Sequence, residues 1–275
     1  MRDVRDADFS AATAVVTGAG AGLGLELARQ LAGQGARVVI ADIDGQAAKR
    51  AAAQIHAEGG TALAVAADVR SVSSVDGLRA ATVQAFGPAS LLINNAGIET
   101  LGRAWELSDA DWHRTLEVNV LGTVNCVNAF MPDLVASGSG LVANVCSIGA
   151  LLGMGSQAAY VTSKHAQLAY SECLALDLAA EGLPVRVCAV LPGPVKTGIF
   201  DSAGAQGAEG KAHQALMRQM LDEHGMTAQA AAAQILKGLA SGQFWVSSHP
   251  ADLAEAAAKR GAWLASLNPP QPRQR

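Results

Sequence analysis

The 275-residue chain is poor in several things. Aromatic residues make up 4% and charged residues 16%. An aromatic-rich β-sandwich is a poor fit to that composition. No run of Lys or Arg occurs, and 20 basic residues face 24 acidic ones for a net charge of −4, so the electrostatic footprint of a nucleic-acid binder is missing. No stretch reaches the roughly 18 apolar residues of a membrane-spanning helix. The first ten residues alternate Arg and Asp and have no apolar centre, so they are not expected to act as a secretory signal. The four cysteines, Cys126, Cys146, Cys173 and Cys188, are far apart and form no C-x-x-C pair, which implies buried, reduced thiols and a cytoplasmic setting. His213, His224 and His249 have no ligand-like partners at useful spacing, so no metal site is expected and surface positions are.

What is present is small and apolar. Half the residues are hydrophobic, 29 are glycine, and mean hydropathy is +0.22. A chain of this length and hydropathy can bury a large core. Short β-branched or apolar runs at 14–17, 36–42, 61–66, 91–94, 140–146, 184–191 and 243–247 alternate with helical patterns at 23–34, 45–58, 71–85, 111–137, 158–181 and 227–240. Ser108 and Asp111 form a capping-box signature before the fourth helix. The alternation predicts a single α/β domain, with about seven parallel strands in a doubly wound sheet flanked by helices on both faces. One segment, 198–226, shows no strand signal, is punctuated by glycines, and is expected to be a long irregular substrate-binding lid. A C-terminal extension, 248–275, carries a helical pattern at 251–267 whose role is open among covering the sheet edge, capping a pocket or meeting a partner chain.

Two places carry chemistry. The run from Thr17 to Gly24 follows the first strand and opens the first helix, where bare backbone can approach a pyrophosphate. The common G-x-G-x-x-G spacing is absent, since Leu23 stands where its last glycine would be. Asp42 ends the second strand, 24 residues after Gly18, where a carboxylate can accept from ribose hydroxyls and repel a 2′-phosphate; NAD is expected over NADP. Tyr160 and Lys164 lie four apart at a helix start and share a face, so the ammonium is expected to lower the phenol pKa. Ser147 follows a strand and could hydrogen-bond the same substrate oxygen.

Together these residues resemble the short-chain dehydrogenase/reductase family, over residues 10–197. Thr17-Gly18-x-x-x-Gly22-x-Gly24 is similar to its nucleotide-binding turn, Asp68-Val69 to its adenine-contacting pair, and Asn94-Asn95-Ala96-Gly97 to its fourth-strand motif. Asn119, Ser147 thirteen residues before Tyr160, and Tyr160-Val-Thr-Ser-Lys164 match its active-site positions; Pro192-Gly193-Pro194-Val195-Lys196-Thr197 is similar to its nicotinamide-holding segment. The resemblance implies a Rossmann-type fold and an NAD-dependent alcohol dehydrogenase or carbonyl reductase. It implies Tyr160 as general acid/base, Lys164 as ribose ligand and modulator of Tyr160, Ser147 as substrate-orienting, and Asn119 as holder of a relay water. Gly18, Ala21, Gly22, Leu23, Gly24, Asp42, Ile43, Asp68, Val69, Asn95, Ala96, Gly97, Pro192, Gly193, Val195 and Thr197 would join Tyr160 and Lys164 in binding the cofactor. A wall of Ala150, Leu151, Leu152, Met154, Gln157 and Pro194, with Ile199, Phe200, Leu216, Met217 and Met220 on the lid, reads as uncharged and suits a bulky hydrophobic secondary alcohol or ketone, steroid-like or aryl-alkyl. Glu99 follows the Asn-Asn-Ala-Gly turn, where it could stand at the pocket mouth, and is expected to be solvated. A homodimer through the long helices 111–137 and 158–181 is expected, with a tetramer as the other possibility. A non-catalytic dinucleotide sensor or scaffold, and an epimerase or dehydratase on the same fold, are the competing readings.

Overall fold

The computed structural model describes residues 8–269. The arginine- and aspartate-rich start and the end of the tail fall largely outside that range. The chain order is β1 (Thr13–Thr17), α1 (Gly22–Gly33), β2 (Arg37–Asp42), α2 (Gly45–Ala57), β3 (Thr61–Ala66), α3 (Val72–Phe86), β4 (Leu91–Asn94), β5 (Thr100–Leu101), α4 (Asp109–Leu116), α5 (Gly122–Ala136), β6 (Gly140–Val145), α6 (Ala158–Ala180), β7 (Val185–Val190), β8 (Val195–Lys196), β9 (Gly204–Ala205), α7 (Gly207–His224), β10 (Met226–Thr227), α8 (Ala228–Ala240), β11 (Trp245–Val246) and α9 (Pro250–Ser266).

Seven strands form one parallel sheet in the order β11-β7-β6-β4-β1-β2-β3. Successive strand residues feed opposite helical layers. Val16, Val38, Ile40 and Ile93 pack with Leu27, Leu31, Ile55 and Leu236 of α1, α2 and α8. Val15, Val39 and Leu92 pack with Leu78, Phe130, Leu134 and Leu178 of α3, α5 and α6. Both faces are therefore dry, which is why the strands read as continuous apolar runs rather than alternating ones. Alanines supply much of the contact: Ala48, Ala51 and Ala52 form the buried face of α2 together with Ile55, so the helix lies close to the sheet. The strand order reverses at β1, which has β2 on one side and β4 on the other. In such sheets the crevice at the carboxyl ends beside the reversal is the natural ligand site.

The structure departs from expectation in three segments. The single helix expected at 111–137 is split by a π-helical turn, Glu117–Leu121, which carries Asn119; Ser108 does form the capping box with Asp111. Such π turns are rare and frequent at functional sites. The expected irregular lid is mostly the helix α7. Its glycines cluster before residue 211, whereas the Gln, Leu and Met residues beyond are strong helix formers. At the sheet edge only Trp245 and Val246 of 243–247 pair. Cys126, Cys146 and Cys188 are buried as expected, but Cys173 is exposed. Among the described residues no helix is long and apolar enough to cross a membrane.

Candidate active site

The turn after β1 is shaped so that backbone lies bare. Gly18 and Gly22 have φ of +61° and +58°, values that disfavour a side chain. A Cβ at Gly24 would stand 2.4 Å from both Asn95 Nδ2 and Gly18 O. Asn95 ties the turn together, its Nδ2 donating to Thr17 O and Gly18 O at 3.0 Å each. Thr17 Oγ1 in turn accepts from the backbone N–H of Asn95 and Ala96 at 3.1 and 3.0 Å. Helix α1 begins after Ala21, whose side chain makes no capping bond, so its first N–H groups face the crevice without a side-chain acceptor. That is the donor set a pyrophosphate needs. Asp42 closes the turn: its Oδ2 accepts from Gly20 N at 2.9 Å and its Oδ1 from Asp44 N at 3.0 Å. Asp68 is held by the Arg70 guanidinium at 2.6–3.1 Å, which keeps its carboxyl below the usual range.

The chemical end is built on β6 and α6. Ser147 follows β6 and opens a short 3-10 turn, its Oγ accepting from Gly149 N at 3.0 Å. Tyr160 and Lys164 lie in the first turns of α6, with Lys164 Nζ 5.6 Å from the Tyr160 ring centroid. Burial raises the Tyr160 phenol above its ordinary value, nearby Glu99 raises it further, and the Ser147 hydroxyl opposes both. Burial thus outweighs the lowering expected from Lys164. The lysine is itself 3% exposed and pushed down to about 8 by burial, so desolvation dominates both groups.

Lys164 Nζ donates to Val145 O at 2.8 Å and to Gln167 Oε1 at 3.0 Å. Gln167 Nε2 donates to Thr123 Oγ1 at 2.8 Å, and Thr123 Oγ1 donates to Asn119 O at 3.1 Å. A chain of side chains thus connects Lys164 to Asn119. The Asn119 side chain does not line the cavity; its Oδ1 accepts from Ile98 N and its Nδ2 donates to Ile98 O and Ser163 Oγ. It holds the loop after β4 against α6. Gly97 lies between them: a Cβ there would make ordinary contact, 3.4 Å from Asn119 Oδ1 and 3.5 Å from Lys164 Nζ.

One cavity of about 2330 Å³ joins the two ends. Every residue named above for cofactor binding borders it, from Gly18 to Thr197, together with Ser147, Tyr160 and Lys164. Of the substrate residues, Met154, Gln157, Pro194 and Phe200 line it, as do Leu152, Ile199, Leu216, Met217 and Met220. Leu151 and Ala150 do not. The 3-10 turn aims them at Cys146, Leu168 and Leu191 behind it. The wall is not uncharged: Glu99 and Arg114 border the cavity, as does His213 of α7. Glu99, expected in solvent, is 2% exposed, because the turn after β4 carries it inward against Gln157. The C-terminal extension, whose role the sequence leaves open, borders the cavity as well. Lys259, Arg260 and Trp263 of α9 border the mouth, while Leu253 packs on the Ser147 turn's cluster. His249 packs on Gly193, where a Cβ would be 2.7 Å from its Nδ1.

The chain matches the short chain dehydrogenase family model over residues 12–207 and belongs to that family. It is 36% identical over 188 residues, 68% of this chain and 75% of the relative, to the (2S)-[(R)-hydroxy(phenyl)methyl]succinyl-CoA dehydrogenase subunit BbsD of Thauera aromatica. It is 36% identical over 186 residues, 68% of this chain and 74% of the relative, to the 2,5-dichloro-2,5-cyclohexadiene-1,4-diol dehydrogenase LinX of Sphingobium indicum. A short chain dehydrogenase/reductase from Burkholderia phymatum, solved in complex with NAD, superposes with a TM-score of 0.91 at 30% identity, covering 98% of this chain and 99% of that one.

Proposed function

We propose that the protein is an NAD-dependent oxidoreductase that transfers a hydride between NAD(H) and a secondary alcohol or ketone. The observation that carries this reading is that Ser147, Tyr160 and Lys164 share one cavity with the glycine turn and Asp42. The bare backbone at Gly18 and Gly24 fits a dinucleotide pyrophosphate, and the NAD-bound neighbour supports the same choice. Asp42 would accept from the adenosine ribose and disfavour a 2′-phosphate, with Ile43, Asp68 and Val69 beside the adenine. Pro192, Gly193, Val195 and Thr197 would wall the nicotinamide, which supplies or accepts the hydride when bound.

The chain's own residues would then move the proton and fix geometry. Ser147 Oγ would hydrogen-bond the substrate oxygen. Tyr160, kept protonated by burial, is suited to donate its proton to a carbonyl oxygen and to recover it from an alcohol in the reverse direction. Lys164 would hold the ribose hydroxyls and favour the phenolate when it forms. The methionine- and phenylalanine-lined side of the cavity supports a bulky hydrophobic substrate.

The test is nicotinamide absorbance with a panel of hydrophobic secondary alcohols. Tyr160→Phe should lose nearly all turnover while still binding NAD. Retention of a tenth or more of wild-type turnover removes Tyr160 from the role.

A further inference from the structure

Glu99 is not used by the reaction above, yet it borders the same cavity as Ser147 and Tyr160. Its Oε1 accepts from Thr100 N at 3.0 Å, and its Oε2 accepts from Gln157 Nε2 at 3.1 Å. Among the described residues no other hydrogen bond reaches this carboxyl. A carboxylate has about four acceptor sites, and a carboxylic acid adds a donor. Half its capacity is thus unmatched in either form, in a side chain removed from solvent. Elsewhere on the lining, His213 Nε2, carried by the lid helix α7, is also buried and without a partner. A wholly hydrocarbon substrate would leave His213 Nε2 unpaired and the remaining acceptor capacity of Glu99 unmet, a situation that binding sites avoid.

We propose that Glu99, steadied by Gln157, is a specificity-determining residue that binds a second oxygen of the substrate, so that the enzyme acts on hydroxylated alcohols or hydroxyketones in preference to their deoxy analogues. The proposal rests on the reading that Ser147 and Tyr160 hold the reacting oxygen. A hydroxyl fits better than an ammonium. Burial pushes the Glu99 carboxyl up to about 8, and the positive Lys164 already lies within its field. A neutral acid offers one donor and a free acceptor lone pair, which a hydroxyl can meet in both directions.

The experiment compares 1-phenylpropan-1-ol, 1-phenylpropane-1,2-diol and 2-amino-1-phenylpropan-1-ol as substrates of the full chain with NAD. The wild type is expected to favour the diol over the mono-alcohol by tenfold or more in kcat/KM. In Glu99→Leu that ratio should fall to one or below, and Glu99→Gln should keep part of it. NADH binding by nicotinamide fluorescence confirms that each variant is folded. A wild-type ratio near one, a preference for the amine, or a diol preference that survives in Glu99→Leu overturns the proposal. Should none of the three be oxidised, a diol-induced rise in melting temperature that Glu99→Leu abolishes keeps the pocket assignment and removes the reaction assignment. No turnover and no thermal shift overturns both.

Discussion

Replacing Glu99 by Gln should change how stability depends on pH, because the carboxyl is held neutral in the fold. Its pKa rises from 4.5 to about 8, with burial as the main cause and the bonds from Thr100 and Gln157 opposing. A folded-state pKa above the unfolded one means that the group's contribution is intact below pH 4.5. It declines as pH rises toward 8 and levels off beyond. At about 1.4 kcal/mol per unit, the cost of ionising it in place approaches roughly 5 kcal/mol above pH 8. Gln has nearly the same shape, can accept from Thr100, and never ionises. Urea unfolding of both proteins should therefore give similar stabilities near pH 4.5, with the variant gaining by about 1.4 kcal/mol per unit up to pH 8. Lys164 does not confuse this window. Its folded pKa of about 8 lies below its ordinary value of 10.5, so its own contribution improves with pH only between those values. Parallel stability curves for the two proteins from pH 5 to 8 would show that the Glu99 carboxyl ionises freely, and would refute the reasoning.

Gln167→Leu removes the acceptor that Lys164 Nζ uses and the donor that Thr123 uses, at a stability cost of about 1–3 kcal/mol. With its charged form less supported, Lys164 should titrate lower, moving the alkaline limb of the pH–rate profile downward; an unmoved limb would show that Gln167 only fills space. Asp42→Ala should reduce the preference for NAD over NADP by at least about tenfold, or about 1.4 kcal/mol, read from kcat/KM with each coenzyme. Gly24→Ala forces a methyl to within 2.4 Å of Asn95 Nδ2 and Gly18 O, so dinucleotide binding measured by fluorescence titration should be lost even where the protein folds.

What could be seen in the chain before its structure follows from how local each feature is. The glycine turn, the 61–66 and 91–94 strands and the Tyr160–Lys164 pair each reside in a contiguous segment whose spacing states its geometry, and each lies where its spacing predicts. The lid helix was obscured by its own first turn, where Gly207 and Gly210 mask the helix formers that follow. Gln167, and the burial of Glu99, were hidden for a different reason. Each is an unremarkable polar residue on its own element, and its meaning comes from a partner far away in sequence: Gln157 for Glu99, Thr123 for Gln167. A polar side chain buried by such a partner is costly unless paired, so its environment must be built by several elements at once. The same argument separates the two residues. Gln167 is paired at both ends of its amide, by Lys164 and Thr123, and its network is closed. Glu99 has one bond to each oxygen and a cavity beside it, so the structure leaves its remaining capacity to be met by whatever enters.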